Sequence, residues 1–184
     1  MLGIKEVDRL VKPKGLVLIE SETSFPYEAV LRKLLADKTL VYLDGPKSLG
    51  EKLFGKKPIG REFFEHLLRG EKPEKPVIAS LTPLYYKPDI AKLSQPEDLL
   101  FTLAHLREAY SDSIAIARLH FDAVPEKFSN LLEIQADIVL RMHPMGPKAV
   151  AIVRRHPRPS VIGDTVEFGV RYDPGAYRGC TRGS

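Results

Sequence analysis

Gly15-Leu16-Val17-Leu18-Ile19-Glu20 runs through Ser21-Glu22-Thr23-Ser24-Phe25-Pro26 into Tyr27-Glu28-Ala29-Val30-Leu31-Arg32-Lys33-Leu34-Leu35. The first six residues read as a buried strand, and the last nine carry apolar residues at helical spacing. Strand, short loop and helix in that order are the wiring of a phosphate-holding turn. The groups such a turn needs are missing, because no glycine lies between Ser21 and Pro26 and no lysine opens the helix. The stretch keeps an architecture without its grip, which points to function carried by surfaces rather than by hydrolysis.

The same alternation extends outward. Apolar runs suited to strands fall at 15–20, 39–44, 76–81, 113–120 and 138–143, and helical patterns at 27–36, 48–54, 60–68, 96–110 and 125–135. Alternating strands and helices predict an α/β fold with a mostly parallel sheet covered on both faces. The helix near Pro96 is well supported: Ser94 or Gln95 can cap it, proline suits its first turn, and Leu99, Leu100, Leu103, Leu106 and Tyr110 share one face. After Pro144 the rhythm changes to two strands, 148–155 and 165–172, joined without a helix and read as a terminal antiparallel pair. Residues 83–96 read as a long loop carrying Tyr85 and Tyr86, which suit either a protein contact or a lid over the sheet edge.

At 184 residues the chain suits one domain, taken as 1–174, with 175–184 as a flexible tail. No apolar run approaches the roughly 20 residues that cross a bilayer, and the N-terminus lacks a signal-peptide pattern, so a cytoplasmic protein with no membrane contact is expected. Cys180 is the sole cysteine, which excludes an internal disulfide and fits a reducing compartment. One asparagine (Asn130) and two glutamines (Gln95, Gln135) against 28% charged residues fit a thermophilic source. The net charge of +4 is too small to announce a nucleic-acid binder. Its distribution is uneven, since from Arg141 onward eight lysines and arginines face only Asp164, Glu167 and Asp173.

Four segments, in order, resemble the RecA-like ATPase superfamily, in particular its KaiC-like archaeal and bacterial branch. They are Gly3-Ile4 with Val7-Asp8-Arg9-Leu10 and the 15–20 strand; Leu40-Val41-Tyr42-Leu43; the 96–110 helix with the Ile114 strand; and Ala136-Asp137-Ile138-Val139-Leu140-Arg141 with 150–155 and Val166-Glu167-Phe168. The resemblance implies a RecA-like three-layer α/β/α fold, with the 21–28 segment in the place of the phosphate loop. On the family's spacing Ser21 stands for the first glycine, Pro26 for the last, Tyr27 for the lysine and Glu28 for the magnesium-holding hydroxyl. Proline removes an amide donor, tyrosine brings no cation, and Glu28 sets a carboxylate where polyphosphate would lie. Ala79 stands where the magnesium-orienting aspartate ends the third strand, and Asp44 replaces the catalytic glutamate only by a shift in position. The resemblance thus implies a degenerate member with no catalytic residues, no ATP hydrolysis, no cofactor and no metal.

Other constellations carry less. His120 and Asp122 fall where open α/β sheets place ligands, and with Asp44 they form a candidate residual site, set against the plainer reading of a strand ending in a polar turn. His66, His105, His143 and His156 show no metal-ligand spacing and read as surface residues. Ser21, Glu22, Thr23 and Ser24 read as an anion cradle or, more simply, as the cap of the following helix. Arg154, Arg155 and Arg158 are candidate nucleic-acid contacts or the charged guard of an edge strand. The leading expectation is a non-catalytic regulatory or scaffolding protein that associates with itself or with an active relative. The alternative is a sequence-independent nucleic-acid-binding module using the basic C-terminal strands, and an enzyme built on His120, Asp122 and Asp44 ranks last.

Overall fold

β1 (Gly15–Ser21) is buried along its whole length, with a parallel neighbour on each side, β4 (Ile114–His120) and β5 (Ile138–Met145). The structure, a computed structural model, describes residues 1–91 and 93–170. Alternate side chains of β1 enter two different cores. Val17 and Ile19 join Val7 and Val11 of α1 (Lys5–Val11) and Val30, Leu31 and Leu34 of α2 (Tyr27–Leu35). Leu16 and Leu18 join Phe63 and Phe64 of α4 (Glu62–Leu68), Leu99, Leu103 and Leu106 of α6 (Asp98–Ala109), and Phe128 and Leu132 of α7 (Glu126–Gln135). Each such buried aliphatic side chain contributes about 1.5–3 kcal/mol, so a strand apolar on both faces is driven to the centre of the sheet.

The seven-stranded sheet has the order β2-β3-β4-β1-β5-β6-β7. β2 (Thr39–Val41) and β3 (Pro76–Ile78) extend the parallel part beyond β4. On the other side β6 (Lys148–Arg155) and β7 (Thr165–Gly169) add antiparallel to β5. The terminal pair is therefore present, with β7 as the edge; β6, which bears Arg154 and Arg155, is an inner strand rather than the edge the sequence suggested. The last two positions of the expected 165–172 strand, Arg171 and Tyr172, together with Asp173, Arg178, Cys180, Arg182 and the 175–184 segment, lie outside the described residues. Among the described residues no helix is long and apolar enough to cross a membrane.

Several boundaries differ from the sequence reading. β2 ends at Val41 because the next amide, Tyr42, turns to the carbonyl of Ile59 (2.9 Å), before the chain enters α3 (Lys47–Phe54). β3 ends at Ile78, where successive odd amides diverge: Ala79 donates to Val41 (2.9 Å) and Leu81 to Arg118 (2.6 Å). The expected 83–96 loop is largely ordered as α5 (Thr82–Tyr86), with proline in its first turn, and a short 3₁₀ turn over Pro88–Ala91. Tyr85 rests on Phe128, ring centroids 4.8 Å apart, so it belongs to the core margin. Neither Ser94 nor Gln95 caps α6 through its side chain. Asp98 does the work from inside the first turn, accepting the amides of Ser94 (2.9 Å) and Gln95 (3.1 Å), as a carboxylate near a positive helix end should.

The start of β1 is fixed by one carboxylate. Asp137 accepts the Leu16 amide (3.0 Å) and the Arg107 Nε–H (2.7 Å), tying β1, β5 and α6 together at the amino end of the sheet. Gly15 takes φ of +77°, and a Cβ there would lie 2.2 Å from Asp137 Oδ2. Gly15→Ala forces the left-handed backbone on an L-residue and pushes the carboxylate off Leu16, so a loss of about 2–4 kcal/mol in chemical denaturation is expected. A stability within about 0.5 kcal/mol of wild type would contradict this clamp.

Candidate functional site

The 21–26 loop closes on itself. Phe25 is buried in the core under α2, its amide donates to the Glu22 carbonyl (3.1 Å), and the Tyr27 amide donates to the Phe25 carbonyl (2.7 Å). Asp122, in the 3₁₀ turn Phe121–Ala123 that follows β4, accepts the Thr23 amide through both oxygens (2.9 and 3.1 Å) and the Thr23 hydroxyl (2.7 Å). Burial works against this carboxylate, yet the Thr23 bonds prevail and hold it below the usual range. The hydroxyls do not cap α2: Pro26 occupies the N-cap without a side-chain bond, and Ser24 turns to Glu22. Three loop amides, at 23, 25 and 27, thus have partners inside the chain.

Tyr27 opens α2 and is 1% exposed. Its ring lies beneath the Arg118 guanidinium, whose Cζ stands 4.1 Å from the ring centroid. Arg118 is itself buried within β4 and donates to the Ser21 hydroxyl (3.4 Å). Strand alternation explains the meeting, because Ser21, Arg118 and His120 all face the α2 side, with Ser21 directly opposite His120. Burial pushes the Tyr27 phenol well above its ordinary range, so it stays neutral.

Between α2, α3 and β4 lies a cavity of about 150 Å³ lined by Tyr27, Glu28, Asp44, Arg118 and His120 together with apolar side chains. Asp44 also borders a larger cleft of about 720 Å³ reaching Lys47, Arg61, Glu62 and Lys87. Although water reaches it, Asp44 is crowded by protein; desolvation, reinforced by Glu28, raises its pKa to about 6 against the pull of Arg118 and a bond from Ser80. Desolvation and Arg118 lower His120 to about 4, against Asp122 and Glu28. The structure therefore brings Asp44 and His120 to one cavity, while Asp122 is committed to Thr23. Ala79 is buried beside Ser80 and supplies no ligand atom.

On the opposite face Glu20 is fully buried and paired with Arg141 (2.8 and 3.0 Å), which also reaches Glu133 (3.3 Å) and lies under Phe121 (4.5 Å). Burial raises the Glu20 pKa despite the Arg141 bonds. Sequence reading missed Arg118, Ser80 and the Glu20–Arg141 pair. The signal was present in one of them, an arginine interrupting the apolar run Ile114 to Leu119. Arg154 and Arg155 are exposed, whereas Arg158 donates to the Leu10 carbonyl (3.1 Å) beside His156, which bonds to that of Val11 (2.7 Å). Of the other histidines, His105 is exposed while His66, His143 and His156 are half-buried. Among the described residues no group of three or more metal-ligating side chains forms.

No protein-family model matches the chain, and no curated protein does. Solved structures do. A KaiC-like protein from the hyperthermophilic archaeon Pyrococcus horikoshii OT3 superposes with a TM-score of 0.61 at 15% identity, covering 91% of this chain and 92% of the other. The flagellar accessory protein FlaH from Methanocaldococcus jannaschii gives 0.60 at 14%, covering 93% of each. The RadB recombinase gives 0.59 at 19%, covering 93% and 96%. At these identities the likeness is one of fold: the chain has the RecA-like α/β architecture, as the sequence segments implied.

The two perturbed groups at the cavity act on stability in opposite senses. Between 3.8 and about 6 the folded chain holds the Asp44 proton more tightly than the unfolded chain, so this group lowers stability as pH rises. His120, depressed from 6.5 to about 4, raises stability over the overlapping window. Asp44→Asn removes the first effect and leaves the second, so its denaturation midpoint should climb more steeply than that of wild type from pH 4 to pH 6.5. Parallel pH profiles for the two proteins would show that Asp44 is not perturbed.

Proposed function

We propose that this chain is a non-catalytic RecA-like domain, a pseudo-ATPase that regulates or scaffolds by associating with itself or with an active relative. The observation that carries the reading is the closure of the 21–28 segment: the Tyr27 ring and the Arg118 guanidinium occupy the junction where a phosphate loop of this fold would present a lysine and open amides. The residues present do not suit a triphosphate. Thr23, Phe25 and Tyr27 amides are bonded within the chain, Pro26 has no amide hydrogen, and Glu28 and Asp44 add negative charge beside the only buried guanidinium lining that cavity. Phosphoryl transfer depends on positioned cations and metal, and here the guanidinium of Arg118 is stacked on Tyr27 and flanked by Glu28 and Asp44. A RecA-like scaffold stripped of that chemistry retains its surfaces, which supports a role in assembly.

The test combines nucleotide titration with a measurement of mass. Calorimetry with magnesium and ATP should give no saturable heat, and phosphate release should stay at the buffer rate. Tyr27→Lys alone should not restore binding, because Asp122 still holds the Thr23 amide. Light scattering across a concentration series should show a dimer or larger species, or a complex on addition of an active RecA-like protein. Saturable ATP binding, or a chain that stays monomeric and joins no such protein, would sink the reading.

A further inference from the structure

Two polar atoms at the cavity between α2, α3 and β4 have no hydrogen-bond partner among the described residues: the Tyr27 hydroxyl and His120 Nε2. Buried polar groups left without a partner are rare, because each forfeits about 1–3 kcal/mol. Both side chains line the same cavity of about 150 Å³, and the Tyr27 hydroxyl lies in the field of Arg118, Asp44 and Glu28, which line it too. The inventory of the wall defines what would satisfy them. The phenol oxygen offers lone pairs, and neutral imidazole offers one at Nε2 in the tautomer that carries its proton on Nδ1. Asp44 and Glu28 supply two carboxylates against one guanidinium, and Arg118 is already stacked on Tyr27 and bonded to Ser21. An anion meets repulsion from two acids, and a hydroxyl guest leaves the excess negative charge uncompensated. A guest with several N–H donors and one positive charge satisfies both acceptors and balances the excess of carboxylate over guanidinium. The remaining wall is formed by Leu31, Leu53 and Phe54 together with Tyr42, and a cavity of this volume admits a benzene-sized body of roughly six non-hydrogen atoms.

We propose that this cavity binds a small primary alkylammonium ion, its nitrogen donating to Tyr27 Oη, His120 Nε2 and the Asp44 carboxylate and its alkyl end resting on Leu31 and Phe54. The site goes beyond the scaffolding reading and does not rest on it, since a chain that failed to regulate any partner would still carry the cavity. No bond is made or broken. Asp44 lines both this cavity and the larger cleft and is itself exposed to solvent.

Amide NMR titration with ethylammonium chloride tests the assignment, with tetramethylammonium, ethanol and sodium acetate as controls of charge, size and sign. Saturable shifts around Tyr27, Asp44 and His120 with ethylammonium alone are expected. Asp44→Asn should weaken binding about tenfold or more, as loss of a charge-assisted bond does, and Tyr27→Phe should weaken it several-fold. Glu167→Gln on β7 should leave it unchanged. Should Asp44→Asn fail to fold by circular dichroism, Glu28→Gln carries the same expectation of weaker binding. The proposal is overturned by the absence of saturable shifts, by an equal response to tetramethylammonium or acetate, or by unchanged affinity in the folded acid variant. Magnesium ATP in a parallel titration separates the two readings: shifts with ATP would end the pseudo-ATPase account while leaving the ammonium result to stand by itself.

Discussion

A guanidinium inside a parallel sheet must be compensated where it stands. Arg118 is 4% exposed in a strand whose neighbouring residues are apolar, and an uncompensated charge there would cost several kcal/mol. Its compensation is the face of Tyr27 at 4.1 Å, a cation–π contact that strengthens as water is excluded, together with the Ser21 hydroxyl and the field of Asp44 and Glu28. The arrangement works in both directions. Arg118 needs an aromatic at the head of α2, and an aromatic at that position fills the space that an open loop would leave.

The remainder of the carboxyl edge follows from this contact. With Tyr27 fixed, the 21–26 loop has its two ends set by β1 and α2, Phe25 drops into the core, and Thr23 meets Asp122. A carboxylate of the same chain thus takes the Thr23 amide. The other face of β1 is locked in a parallel manner by Glu20, Arg141 and Phe121. Phe121 and Asp122 are adjacent, so one short turn braces both faces of the sheet at the same edge. These contacts close the 21–28 segment within the chain, and one small cavity lies beside it.

Much of the fold was legible because strands apolar on both faces and amphipathic helices leave strong periodic marks. β6 matches its expected bounds, and β1 and α2 fall within a residue of theirs. The failures have local causes. β2 and β3 were read too long because apolar residues such as Leu43 and Leu81 continue to be buried after the ladder ends, and burial, not pairing, is what a hydrophobic run reports. The 83–96 segment was read as loop because its prolines and tyrosines mask a five-residue helix that tertiary contact, through Leu84 and Tyr85, holds in place. The candidate site was half legible. Position along the chain marked 21–28, Asp44 and His120, but the pairing of Arg118 with Tyr27 depends on which face of β4 meets α2. That is a property of the register between β1 and β4, which no local pattern encodes.

The account rests on Tyr27 and Arg118 filling the junction between β1 and α2. A crystal structure grown in saturating magnesium and a non-hydrolysable ATP analogue tests that most directly. The account predicts the Tyr27 ring still stacked under Arg118, Asp122 still on Thr23, and no nucleotide density beside the 21–28 segment. A triphosphate seated there, with Tyr27 swung out of the core, would contradict it.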